Sequence, residues 1–374
     1  MRFAAPVLVA LLASAAHACL WDSDTLAEEA ANHMDLVRII TGRFERNPPL
    51  YYQMRLQRVS GELAKNPANL DNYDNAAVAC DRLGNDVGAL KWIGKKRTYM
   101  EGHRLTAQTN PEDWYRYYAN AGTFHAHLWF RRGRKPDELG EVKEGKNLLL
   151  KALAINPNAH FGREKVQIKV FDWVIDGGRK SLGSYLEDME RDLRPDGEAE
   201  SDAKGLAGLV MLGNAWESVD TFQALEYRLS DFDKGSLAQF AMLRARELMS
   251  QGAKPLAKAD EEYFAYPFYR PDQQTSAFNE KEFVRLRAEA DAWQKTRTDF
   301  MVARLKVGRH PDTDKTFWSG YSPAPAPEVR DQSFWTTAKL WMRLSVVATI
   351  CVIAVPCLLA WVIYKIVKVN RRGR

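Results

Sequence analysis

Leu70–Lys96 reads LDNYDNAAVACDRLGNDVGALKWIGKK, and its order of large and small residues decides the fold. Tyr73, Ala76, Ala77 and Cys80 recur at helical spacing, and Ala89 and Ile93 continue it after a break. The break is Leu83-Gly84-Asn85, where glycine and asparagine suit a tight turn. The small residues let two antiparallel helices approach closely, so the segment is expected to fold as a helix-turn-helix unit. Working outward, Tyr118, Ala121, Gly122 and His125 open a second unit after Asn110-Pro111. An insertion from Arg131 to Gly140 separates it from its partner helix, KNLLLKALAINPNAHF at 146–161. A further helix with Val166, Val170, Phe171 and Val174 inward follows, and helical periods return over 202–229 and 236–251.

This pattern resembles the tetratricopeptide repeat over roughly residues 66–175. The family's aromatic, small, aromatic, turn-glycine and alanine positions fall on Tyr73, Ala77, Cys80, Gly84 and Ala89, while Leu149, Ala152 and Pro157 match the end of a repeat. Cys80 departs from the usual aromatic, and Glu101 stands where a closing proline belongs. The expected fold class is all-α: helix-turn-helix repeats in a solenoid, with a nonrepetitive helical bundle as the alternative. The resemblance implies that the first helix of each pair faces a concave groove. On that register Asp71, Asp74, Val78 and Asp81 line it in one unit, and Arg116, Ala119, Thr123 and Ala126 in the next. Three aspartates on one face would suit a basic or amine-bearing peptide; a plain solvated helix face is the alternative.

The ends of the chain speak of location. Residues 1–18 have one basic residue, an apolar run and Ala16-His17-Ala18, the layout of a cleaved secretory signal. Leu344–Tyr364 is uncharged over about 21 residues, roughly 30 Å of helix, enough to cross a bilayer. Lys365, Lys368, Arg371, Arg372 and Arg374 follow it, which places the 365–374 tail in the cytoplasm and the large body outside. None of the asparagines begins an N-x-[ST] site, in keeping with a bacterial inner membrane facing the periplasm. The expected organisation is a repeat domain at 19–251, an aromatic segment and packing helix at 252–305, a proline-rich spacer at 306–333, and a juxtamembrane stretch at 334–343. Asn279 with Glu282 resembles a capping box, so the packing helix is expected to begin near Glu280.

Net charge is +5 over 374 residues with 27% charged, part of it in the tail. Lys95-Lys96-Arg97 and the cluster Arg131, Arg132, Arg134, Lys135 are short and read as solvated helix ends, so no nucleic-acid partner is expected. Cys19 and Cys80 are the cysteines outside the apolar span. They are candidates for a disulfide closing about 60 residues and contributing roughly 4 kcal/mol; two free thiols, or a lipidated Cys19, remain open. Trp21-Asp22-Ser23-Asp24-Thr25 suits a helix cap, with Asp24 or Thr25 supplying the oxygen, better than a phosphatase or metal-binding motif. His125 and His127 stand two apart on a helix, too far around it to share a metal easily, and read as packing residues. HExxH, CxxC, GxSxG and Walker patterns are absent, and no cofactor is expected. The function expected is a membrane-tethered, exported scaffold that binds a protein or peptide. The alternatives are an envelope enzyme with a site near the aromatics of 263–269, and an assembly factor with a signalling tail.

Overall fold

The computed structural model describes residues 36–157, 162–190, 198–231, 235–258 and 268–330. The expected signal segment, Cys19, the aromatic run 263–267, the apolar span 344–364 and the basic tail lie outside the described residues. Among the described residues no helix is long and apolar enough to cross a membrane. The body ends at Ala326; of the second unit, Pro327–Arg374, only 327–330 are described.

Every regular element among the described residues is helical: α1 Leu36–Thr41, α2 Pro49–Lys65, α3 Leu70–Arg82, α4 Asp86–Gly102, α5 Pro111–Arg131, α6 Gly140–Ile155, α7 Arg163–Ile175, α8 Leu182–Glu190, α9 Glu198–Leu212, α10 Val219–Asp231, α11 Gly235–Ser250 and α12 Gln273–Lys306. Neighbouring helices pack in a repeat-like order, with α3 on α4, α5 on α6 and α9 on α10. Successive pairs meet through α4 on α5, α6 on α7 and α8 on α10.

The α3–α4 pair follows from its residues. Tyr73, Ala76, Ala77, Cys80, Ala89 and Ile93 are all buried. Gly84 turns the chain at φ +78°, a conformation that favours glycine. Asn85 then caps α4, its Oδ1 accepting from Gly88 N at 2.9 Å. In the α5–α6 pair the closest approach is Gly122 against Gly145: a Cβ on Gly145 would lie 2.6 Å from the Gly122 carbonyl oxygen. The 131–140 insertion falls between these two helices, its residues largely exposed.

The long helix α12 joins the two ends of the series. At 34 residues it is about 51 Å long, and it touches α11, α1 and α2. At one end Phe283 meets Phe240 of α11 edge-on at 5.7 Å. In the middle Arg287 donates to the Thr41 carbonyl at 2.8 Å, and Gln294 exchanges hydrogen bonds with the backbone of Arg46. At the other end Met301 and Leu305 cluster with Tyr51 and Tyr52 of α2.

Two sequence expectations are corrected here. The helix does not start at a cap on Asn279; its cap is Asp272, whose Oδ1 accepts from Gln274 N and Thr275 N. Asn279 lies two turns inside and donates to Gln239 Oε1 at 2.8 Å, so its polarity serves packing on α11. Nor is all of 306–333 a stand-off spacer. His310 stacks on Tyr51 at 4.6 Å, and Phe317 is fully buried. Asp312 binds Arg55 and Arg58; against the cost of burial, these guanidinium partners hold its carboxyl at about 2. An apolar anchor and an ion-paired carboxylate dock this stretch on α2.

Glu226 on α10 gives a pH prediction. Its Oε1 accepts from Tyr269 N at 3.0 Å, its Oε2 is buried without a partner, and burial raises the carboxyl to about 7. The folded chain therefore holds a proton that the unfolded chain releases near the usual carboxylate range. Stability from this group falls as pH rises from about 4.5 to about 7. Glu226→Gln should stabilise the body at pH 8 by roughly 1–3 kcal/mol and change little at pH 4, measured by thermal melts at both pH values.

Candidate functional site

A cavity of about 660 Å³ opens in the body between α5, α7, α9 and the turn that follows α9. Its floor is buried: Thr123 and Ala126 from α5, Arg163, Gln167 and Phe171 from α7. Gln167 Nε2 donates to Thr123 Oγ1 at 3.2 Å, fixing these two polar groups beside Ala126 and Phe171. Its mouth carries exposed Arg131, Arg134, Asn214, Glu217 and Lys254.

The wall is cationic. Arg46, Arg82, Arg131, Arg134, Arg163 and Lys254 face the cavity, against the carboxylates Glu217 and Asp220. Arg131 is answered by Asp86, and Arg163 by Glu164. Asp220 is engaged by the backbone, accepting from Leu256 N at 2.7 Å and Ala257 N at 3.0 Å. Burial nevertheless raises its carboxyl above the usual range, which weakens it as a counter-charge. Arg82 holds its place by donating to Leu212 O at 3.0 Å and Asn214 Oδ1 at 2.8 Å, closing the carboxyl end of α9. No side-chain hydrogen bond or ion pair engages Arg134 or Lys254 among the described residues.

One corner of the cavity is built on Trp216, from the 3-10 turn Ala215–Glu217. Phe44 and Phe222 meet the indole edge-on at 5.3 and 5.6 Å. Arg244, Arg46 and Arg287 lie over its ring at 3.8, 5.1 and 5.4 Å. Cations over an indole face are attracted by its quadrupole, and Glu247 offsets their mutual repulsion by pairing with Arg244 and Arg287. Burial, with Arg287 and Arg244 adding to it, lowers Arg46 to about 10, which leaves it charged at neutral pH.

Behind the wall stand Asp81 and Asp86, with His127 in the wall itself. Asp81 Oδ1 meets His127 Nδ1 at 2.7 Å, and the imidazole lines the cavity. Burial opposes ionisation of Asp81, but His127, Arg82 and Arg131 together hold its carboxyl below the usual range. Burial, with Asp81 adding to it, raises Asp86 to about 6.

The row of residues expected to face a groove is mostly enclosed. Asp74 is fully buried, bonded to Lys96 and accepting from Asn120 Nδ2 at 3.1 Å. Val78, Arg116 and Ala119 are buried as well, and Asp71, the exposed member, accepts from Arg116 Nη1 at 2.8 Å. The cause is α5, which packs across α3 and answers its aspartates with Arg116, Asn120 and His127. Of the eight positions, Thr123 and Ala126 reach the cavity, and Asp81 stands behind His127. Cys80 is buried; burial, with Asp81 beside it, raises its thiol to about 11. The residues that give the cavity its charge were read in sequence as solvated helix ends or not singled out. The cluster from Arg131 to Lys135 was the visible signal for the mouth. No family model, curated protein or solved structure matches this chain.

Proposed function

We propose that this chain is an exported, membrane-tethered helical-repeat scaffold that takes an acidic segment of a protein partner into the cavity of its body. The observation that carries this reading is the surplus of cationic side chains over carboxylates lining the cavity. Guanidinium groups suit carboxylates through paired N–H donors, and aromatic and arginine side chains are favoured anchors at protein interfaces. The partner's charge is thus opposite to that expected from the row of aspartates, since Asp74 and Asp81 are engaged inside the body. The tetratricopeptide register through Tyr73, Ala77, Cys80, Gly84 and Ala89 supports a repeat of that kind. The sequence of residues 1–18 and 344–374 supports export and a single anchor.

The test is a photo-crosslinking residue in place of Lys254, at the exposed mouth, in cells carrying the full chain. The expected result is one dominant adduct whose crosslinked peptide is rich in aspartate or glutamate, and which disappears with Arg134→Glu. Adducts confined to basic peptides would reject the reading.

A second reading, an envelope enzyme, draws support from the Asp81–His127 pair, because a carboxylate that orients an imidazole is a familiar arrangement for general-base chemistry. His127→Ala would then abolish turnover of an anionic ester while sparing acidic-peptide binding.

A further inference from the structure

We propose that Asp81, Asp86 and His127 form a binding site for a divalent transition-metal ion, for which Zn²⁺ is the probe. This inference does not rest on the reading of the cavity above. One ligand atom from each of the three residues lies within 4.8 Å of the others. Three ligands of this kind, two carboxylate oxygens and an imidazole nitrogen, leave a fourth position for water in a tetrahedral Zn²⁺ site. Tetrahedral ligands at about 2.1 Å from zinc stand roughly 3.4 Å apart, so the widest ligand pair closes by up to about 1.4 Å, while Asp81 Oδ1 and His127 Nδ1, at 2.7 Å, ease apart.

Acidic residues alone would say little, and a second observation points to a cation. Asp81 is wholly enclosed between α3 and its neighbours, and its Oδ2 meets no hydrogen-bond donor. A buried carboxylate oxygen without a donor costs about 1–3 kcal/mol or more, and it belongs to the same carboxylate that pairs with His127. Arg131 bonds Asp86 and reaches Asp81 Oδ1 at 3.5 Å. That guanidinium comes from the last residue of α5 and is about one-third exposed. It can swing into the cavity mouth and leave the carboxylates to an ion. Arg131 thus acts as the counter-cation of the ion-free state.

The three ligands sit on rigid supports. Asp81 lies in α3, Asp86 opens α4, and His127 is in α5. Gly84 and the Asn85 cap fix the α3–α4 turn between the two carboxylates.

The experiment is calorimetric titration of the purified full chain with Zn²⁺, repeated on Asp86→Asn, His127→Gln and Arg131→Ala. Wild type should bind one ion per chain. Asp86→Asn and His127→Gln should each weaken it by at least about tenfold, the lower bound for disturbing even an outer partner of a metal. Arg131→Ala, which removes the competing cation, should bind at least as tightly as wild type and recover thermal stability when Zn²⁺ is added. A purely structural ion-pair cluster gives the opposite: Arg131→Ala is destabilised and Zn²⁺ does not restore it. Absence of stoichiometric binding in wild type, or equal binding by wild type, Asp86→Asn and His127→Gln, overturns the proposal. Far-UV circular dichroism of the metal-free variants checks that each is folded.

Discussion

Lys96→Met is expected to destabilise the body by about 3–5 kcal/mol, the range for leaving one partner of a buried ion pair alone. Lys96 and Asp74 are both enclosed, joined across the α3–α4 pair. Asn120 of α5 donates to the other carboxylate oxygen at 3.1 Å, so three helices meet on this one charge. Burial raises the Asp74 carboxyl even with Lys96 beside it. Without the ammonium, the carboxyl folds as the neutral acid and costs more to fold as pH rises through its folded titration. The loss should therefore be larger at pH 8 than at pH 5. In a thermal melt it corresponds to roughly 10 °C. The double variant Lys96→Met with Asp74→Leu should recover most of the loss, because an apolar pair of similar volume removes both the charge and its desolvation. A single-variant loss below about 1 kcal/mol would mean that the pair is hydrated in solution.

The second large effect is at the glycine contact of α5 and α6. Gly145→Val should prevent the pair from closing, and Gly145→Ala should cost about 1–3 kcal/mol, the usual range for overpacking. The reason is that the obstacle is backbone: a Cβ on Gly145 meets the Gly122 carbonyl oxygen at 2.6 Å, and a Cβ on Gly122 meets the Gly145 carbonyl at 2.8 Å. Neither oxygen can swing aside as a flexible side chain would. The loss must also exceed the gain of up to about 1 kcal/mol that alanine brings to a helix interior. Gly94→Ala on α4 is the matched control. Nothing lies within 4 Å of its added Cβ, so the same chemical change should stabilise. Chemical denaturation of the two alanine variants checks the opposite signs. Two losses, or two gains, would show that the α5–α6 approach is looser than described.

These glycines and alanines are also what made the fold legible. Small residues at helical spacing, a turn glycine and an asparagine cap are local signals, and they identify the α3–α4 pair and the break between α5 and α6 from sequence alone. The cavity was harder to see because its charge is set by partners far apart in the chain. His127 is 46 residues from Asp81, and two histidines two apart on one helix look like packing residues until α3 is laid beside α5. Asp74 looked solvated for the same reason: Lys96 sits in a run of basic residues, and nothing local says that it turns inward. The bridging role of α12 was also hidden. Its polar residues Arg287, Gln294 and Arg297 carry no local signal, yet they bind Thr41, Arg46, Glu45 and Asn47 from the start of the body.

The cationic cavity is tested most directly by titrating the full chain with two disordered peptides of equal length, one of repeated Asp-Glu and one of repeated Lys-Arg, while following tryptophan emission. Trp173 and Trp216 line the cavity and report its occupancy. The acidic peptide should give a saturable change that weakens with added salt and is lost in Arg134→Glu with Lys254→Glu, and the basic peptide should give none. Saturable binding of the basic peptide, or acidic-peptide binding untouched by the double reversal, would contradict the assignment of this cavity.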